Sequence, residues 1–96
     1  VRVPAAWVYL LSCRDGSLYC GWTSDLERRL RRHVAGTASR YTASRRPVEL
    51  AAVFELDDFS AARREEARIK RLSRAEKERL VADERLSGAW RAGETG

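Results

Sequence analysis

The sequence predicts a small α/β domain of the α+β type, with elements in the order strand, strand, helix, strand, helix, helix. Three observations predict it. Val48, Leu50, Ala52, Phe54 and Leu56 alternate with Glu49, Ala51, Val53 and Glu55, which is the period of a strand. Asp15-Gly16, a strong turn signal, separates two short runs rich in apolar and aromatic residues. Ser-x-x-Glu capping boxes at Ser24 and Ser73 each open a helical stretch. A chain of 96 residues is too short for two cores, so residues 1–85 are expected to form a single domain. Residues 86–96 contain three glycines and are expected to form a flexible tail, with Trp90 as a side chain able to dock.

The first strand is expected over Ala6 to Ser12 and its hairpin partner over Ser17 to Gly21. Loop length decides which side chains share a face. A two-residue turn at Asp15-Gly16 puts Tyr9 and Tyr19 on opposite faces. A three-residue loop, Asp15-Gly16-Ser17, places Cys13 opposite Tyr19 and both tyrosines on one face. A common site for the two phenols therefore needs an odd loop or a bulge.

The first helix is expected to start at Ser24, where hydroxyl and Glu27 carboxylate satisfy orphan amides, and to end at a left-handed Gly36. Helical spacing puts Leu26, Leu30 and Val34 on one buried stripe, with Arg29 and His33 at its border. Arg28, Arg31 and Arg32 face solvent. Thr37 to Arg46 lacks apolar periodicity and reads as a basic loop carrying Arg40, Tyr41, Arg45 and Arg46; Pro47 then forces extension into the third strand. A second helix is expected from about Ser60 to Leu72, and a third from the Ser73 box to about Arg85. Glu66 falls in or beside the apolar arc of the second helix. A carboxylate there needs a partner, either an i,i+4 ion pair with Lys70 or a bound cation.

Composition narrows the functional classes. The 19 basic residues outnumber the 14 acidic ones, a balance that favours polyanionic partners through attraction and counterion release. No apolar run is long enough to span a membrane and no export signal is evident, so a cytoplasmic protein with no membrane partner is expected. Cys13 and Cys20 make no metal-ligand pattern and are expected to be small apolar strand residues kept as thiols.

Five ordered motifs then carry a resemblance: Trp7-Val8-Tyr9, Tyr19-Cys20-Gly21, Arg29 with His33, Tyr41-Thr42-x-x-Arg45-Arg46-Pro47, and Ala62-x-x-x-Glu66-x-x-Ile69-Lys70. From about Ala6 to Val81 the chain resembles the GIY-YIG nuclease superfamily, and within it the small single-domain YhbQ-like proteins. It departs from the pattern at Trp7-Val8, at Cys20, and at Trp22, where some relatives carry a lysine. The resemblance implies a small three-stranded antiparallel or mixed sheet flanked by three helices. It implies metal-dependent hydrolysis of DNA, by an endonuclease or structure-specific nuclease acting in repair or processing.

The roles it implies are these. Tyr19 is the general base, and because a free phenol titrates near ~10 it needs positive charge beside it. Arg29 stabilises the transition state, Tyr9 orients water or phosphate, and His33 relays a proton or contacts phosphate. Glu66 holds one Mg²⁺, or another divalent cation such as Mn²⁺; no small-molecule cofactor is expected. Arg40, Tyr41, Arg45, Arg46 and Lys70 are the candidate contacts to DNA, and an unidentified protein partner for targeting is conceivable. Two rival readings remain open: a non-catalytic nucleic-acid-binding module with the same fold, and an interaction domain whose basic face meets an acidic protein.

Overall fold

The structure, a computed structural model, describes residues 3–87. Its elements are β1 (Ala6–Ser12), β2 (Leu18–Thr23), α1 (Leu26–Ala35), α2 (Arg40–Ala43), β3 (Glu49–Leu56), α3 (Phe59–Lys70) and α4 (Arg74–Ser87). The fold is α+β, and the sheet is antiparallel throughout, in the order β2-β1-β3. Four helices flank it where the sequence predicts three. The extra one, α2, is a single turn inside the expected basic loop. Ser39 caps it through a side chain that accepts from the Thr42 amide at 3.1 Å, a local bond that apolar periodicity does not register.

β1 lies at the centre of the sheet, and residues Val8 to Leu11 are buried on both of its faces. On one face Val8, Leu10, Cys20 and Ala52 pack against Ala62 and Ile69 of α3. On the other, Tyr9, Leu11 and Val53 pack with Tyr19 and with Leu26 and Leu30 of α1. Helices thus cover both faces, and β2 is left as an edge strand between α1 and α3.

The hairpin loop has three residues, Arg14, Asp15 and Gly16, closed by a bond from the Cys13 amide to the Ser17 carbonyl at 2.9 Å. Leu11 therefore faces Tyr19, and Tyr9 faces Gly21. The register differs by two residues from the one expected for an Asp15-Gly16-Ser17 loop. An even shift preserves the faces, so the two tyrosines share one. Gly16 sits at φ 86°, the left-handed residue that such a loop demands.

Two local expectations for α1 are corrected. Its N-cap is Asp25, which accepts from the Arg28 amide at 3.1 Å, and not Ser24. Thr23 sets this start, because its hydroxyl accepts from the Asp25 amide at 3.0 Å just where β2 ends. A carboxylate at this point also complements the positive end of the helix dipole. The buried stripe is Leu26, Leu30 and His33; Val34 is 66% exposed while His33 is 1% exposed. Gly36 ends the helix in the left-handed conformation, as expected. The Ser73–Glu76 capping box forms reciprocally, at 2.8 and 3.1 Å, and opens α4. That helix continues to Ser87, two residues into the expected tail; residues 88–96, including Trp90, lie outside the described residues.

Candidate active site

The exposed edge of β2 is where the two faces of the sheet meet. A cleft of about 320 Å³ there is lined by Tyr19, Gly21, Trp22, Thr23, Arg29 and Glu66, among others. Tyr19 and Arg29 reach it from the α1 face, and Glu66 from α3. Three of the residues singled out in the sequence thus line one solvent-open cleft. A larger depression of about 490 Å³, lined by Arg14, Val34 and Arg46 among others, contains no acid and no phenol.

Tyr9 and His33 lie directly beneath the cleft. Gly21 explains how a tyrosine on the central strand gets there: a Cβ on Gly21 would fall 2.6 Å from Tyr9 Oη and 2.8 Å from Cζ. The phenol lies across β2 in the space a side chain would take. His33 Nε2 is 2.8 Å from Tyr9 Oη, and His33 Nδ1 is 2.8 Å from Thr42 Oγ1. Thr42 Oγ1 is in turn 2.8 Å from Ser39 Oγ. Arg29, which offers only donors, also interacts with the Tyr9 oxygen. Each ring nitrogen of His33 thus has a hydroxyl partner, one from Tyr9 and one from Thr42. Both tyrosine rings meet the imidazole edge to face, at centroid separations of 5.5 and 5.4 Å.

Burial sets the protonation of this inner group. It pushes the Tyr9 phenol up to about 12 against the opposing pull of Arg29. It pushes His33 down to about 4, helped by the positive charges of Arg29 and Arg32. His33 is thus neutral near pH 7. Both of its ring nitrogens are engaged by hydroxyl groups, and only 1% of the residue is exposed. Sequence spacing had set it on the border of the helix stripe, whereas packing draws it fully inside. Because the unfolded chain binds a proton at His33 more tightly than the folded one, stability is complete above the ordinary value of 6.5 and falls as pH drops toward 4. Between pH 7 and pH 5, above the main carboxylate range, this costs about 2 kcal/mol. Urea midpoints at the two pH values measure it; equal midpoints would contradict a buried neutral imidazole.

The other site residues divide sharply. Glu66 has a side chain 22% exposed and stands 3.4 Å from Lys70 Nζ, so the i,i+4 pair forms on the same carboxylate that lines the cleft. Tyr41 stacks on Tyr19 with centroids 5.8 Å apart, and the Arg45 guanidinium lies 3.7 Å from the Tyr41 ring centroid on top of the stack. Arg45 is held by Asp15 at 2.9 Å and by the Tyr41 carbonyl at 3.0 Å. Hydrogen bonds from Ser17 and the Arg45 charge keep the Asp15 carboxyl below its usual range. Arg46 donates to the Ala43 carbonyl at 3.1 Å and the Val34 carbonyl at 3.5 Å, closing the C-terminal ends of α2 and α1. These two arginines, expected to meet DNA, are engaged in holding the loop. Arg40 is exposed on α2.

Sequence reasoning missed the part played by Ser39 and Thr42. Thr42 is completely buried, and the Ser39-x-x-Thr42 spacing of a cap was the available signal. Both cysteines are buried free thiols, and burial together with the Glu66 charge pushes Cys20 up to about 12.

Among the described residues no group of three or more His, Cys, Asp or Glu side chains converges as a metal cage. One partly exposed carboxylate suits a hard cation that keeps most of its shell as water and substrate oxygen. The donor set therefore fits Mg²⁺ or Mn²⁺ shared with a phosphate.

Comparison with known proteins agrees with this architecture. A UPF0213 protein of Natronomonas pharaonis is 54% identical over 78 residues, covering 81% of this chain and 92% of its own. The solution NMR structure of a UPF0213 protein from Bacillus halodurans superposes with a TM-score of 0.55 at 40% identity, covering 88% of this chain and 86% of that one. A second NMR structure, of a protein from E. faecalis, superposes with a TM-score of 0.61 at 36% identity, covering 94% and 95%. The GIY-YIG catalytic domain family matches residues 5–79, spanning all three strands, the edge cleft and the start of α4. By its motifs, its sheet and this match, the chain belongs to the GIY-YIG family, a nuclease superfamily.

Proposed function

We propose that this chain, as a single domain over residues 1–85, is a metal-dependent DNA endonuclease of the cytoplasm acting in DNA repair or processing. The observation that carries the reading is the shared cleft of Tyr19, Arg29 and Glu66. Hydrolysis of a phosphodiester needs a base for the attacking water, compensation for charge on the transition state, and help for the leaving oxygen. Tyr19, the phenol that opens to the cleft, accepts the proton of the water in its deprotonated form. Arg29 presents a planar fork to the phosphate oxygens, already oriented by α1 and by the Trp22 carbonyl at 3.5 Å. Tyr9 positions Arg29 from beneath, and His33 with Thr42 fixes the direction of the Tyr9 hydroxyl.

Glu66 is the residue that would hold the single divalent cation. When bound, such an ion would neutralise phosphate charge and acidify water. The open cleft, the exposed Arg40 and the outer arginines of α1 supply attraction for the DNA backbone. Nothing in the described residues forms a base-reading helix or finger, which favours DNA structure over DNA sequence as the determinant of cleavage.

The reading is tested with end-labelled single-stranded, duplex, flap and junction DNA. Product is expected with Mg²⁺ or Mn²⁺ and none with EDTA. Salt-sensitive DNA binding without product under either metal would instead favour the non-catalytic binding module.

A further inference from the structure

A second depression, of about 590 Å³, adjoins the catalytic cleft and shares Trp22 and Glu66 with it. None of the roles above uses it. Its remaining wall is the outward stripe of α3, where Ser60, Arg63, Arg64 and Ala67 follow one another at i, i+3, i+4 and i+7. The small residues at either end leave the hollow, and the two arginines between them supply its charge.

Trp22 leans on Phe59 with ring centroids 5.5 Å apart and a 50° tilt, and Phe59 at the rim is 52% exposed. Arg64 donates to Ser60 Oγ at 2.7 Å. Arg68 and Lys70 of the same helix are paired with Glu65 and Glu66, whereas Arg63 and Arg64 form no ion pair among the described residues. Two uncompensated forks therefore stand beside an aromatic wall that continues into the catalytic cleft.

We propose that this depression is a nucleotide subsite, taking the unpaired nucleotide next to the scissile phosphate with its base on Trp22 and its phosphate on Arg63 and Arg64. The inference rests on the nuclease reading and sharpens its substrate. Every base offers a π-face, so stacking on an indole tolerates any sequence. A base can reach Trp22 only after leaving its own helical stack, which selects single-stranded or splayed DNA over continuous duplex. An acidic peptide would satisfy the arginines but leave the indole without a planar partner.

Tryptophan fluorescence of the full chain, titrated in EDTA with a short oligothymidylate and with an abasic oligomer of equal length and charge, tests this. The oligothymidylate should quench fluorescence and bind about tenfold more tightly than the abasic oligomer. Arg63→Ala/Arg64→Ala should weaken both and lower the slope of log K against log salt by about 0.7, the loss of one neutralised phosphate. Phe59→Ala should weaken the oligothymidylate selectively. Trp22 packs on the core, so the exposed Phe59 and arginine variants decide the matter should Trp22→Leu fail to fold. Equal affinity for the two oligomers, or an unchanged salt slope, would overturn the subsite. The readout needs no turnover: quenching without cleavage in Mg²⁺ removes the nuclease reading alone, and cleavage without quenching removes the subsite alone.

Discussion

Under the proposed nuclease reading, Glu66→Ala and Arg29→Ala are each expected to abolish most cleavage, with different signatures. Arg29→Ala should lower kcat by about 10²–10³-fold at every metal concentration, since in that reading the lost fork acts on charge that develops in the transition state. Arg29→Lys restores little, since an ammonium cannot bridge two phosphate oxygens. Glu66→Ala should lose about 10²-fold or more at low Mg²⁺ and recover part of it as the metal is raised, since in that reading the carboxylate acts through cation affinity. Neither change threatens the fold. The Glu66–Lys70 pair is an i,i+4 pair with Lys70 half exposed, worth a few tenths of a kcal/mol at about the scale of helix-surface pairs. Arg29 holds the Trp22 carbonyl only at 3.5 Å, and the Tyr9 phenol it also approaches keeps its bond to His33. Thermal melts superimposable on the parent alongside lost turnover are expected. Undiminished turnover in either variant would remove that residue from the chemistry.

Gly21→Ala is expected to be strongly destabilising for the addition of a single methyl group. Its Cβ would meet Tyr9 Oη at 2.6 Å, Cζ at 2.8 Å and Tyr19 Cε2 at 3.3 Å. Tyr9 has no room to yield: it is wholly buried, and its hydroxyl is bonded to His33 at 2.8 Å. Overpacking of this kind costs about 1–3 kcal/mol. Displacing the phenol would also strand the buried His33 Nε2, adding about 1–3 kcal/mol. A fall in Tm of at least about 10 °C follows for a domain of this size. A double-mutant cycle with Tyr9→Leu locates the clash, since the alanine should cost much less once the phenol is gone. Additive effects in the cycle, or an unshifted Tm in Gly21→Ala, would mean the close approach is not what requires glycine.

The features legible in the sequence are those whose causes lie within a few residues. The alternation of 48–56 produced a strand over Glu49–Leu56, and the Ser73 box produced a formed cap. The odd hairpin loop, inferred from the need for two phenols on one face, is present with a different trio of residues. Where neighbouring residues are near-equivalent by local rules, contacts from elsewhere in the fold choose between them. Two side chains in succession, Ser24 and Asp25, are both good N-caps, and only the end of β2 at Thr23 chose between them. His33 and Val34 sit a residue apart on α1, and helical spacing alone favoured burying the apolar one. The Tyr9 hydroxyl and Thr42, both far away in sequence, supplied the hydrogen bonds that made burial of the imidazole affordable in free energy.

The motif residues, the three strands and the family resemblance were thus settled by sequence, since periodicity, turn chemistry and motif order are written in neighbouring positions. Tertiary structure alone decided that Tyr19, Arg29 and Glu66 meet at the edge of β2, because α1 and α3 approach that edge from opposite faces of the sheet. It also decided how the cations are engaged: Arg45 and Arg46 are drawn into Asp15, Tyr41 and helix-end carbonyls, while Arg63 and Arg64, without an ion pair among the described residues, stand beside Trp22. Charge in a sequence is a count, and its availability depends on which oxygen atoms the fold brings within reach.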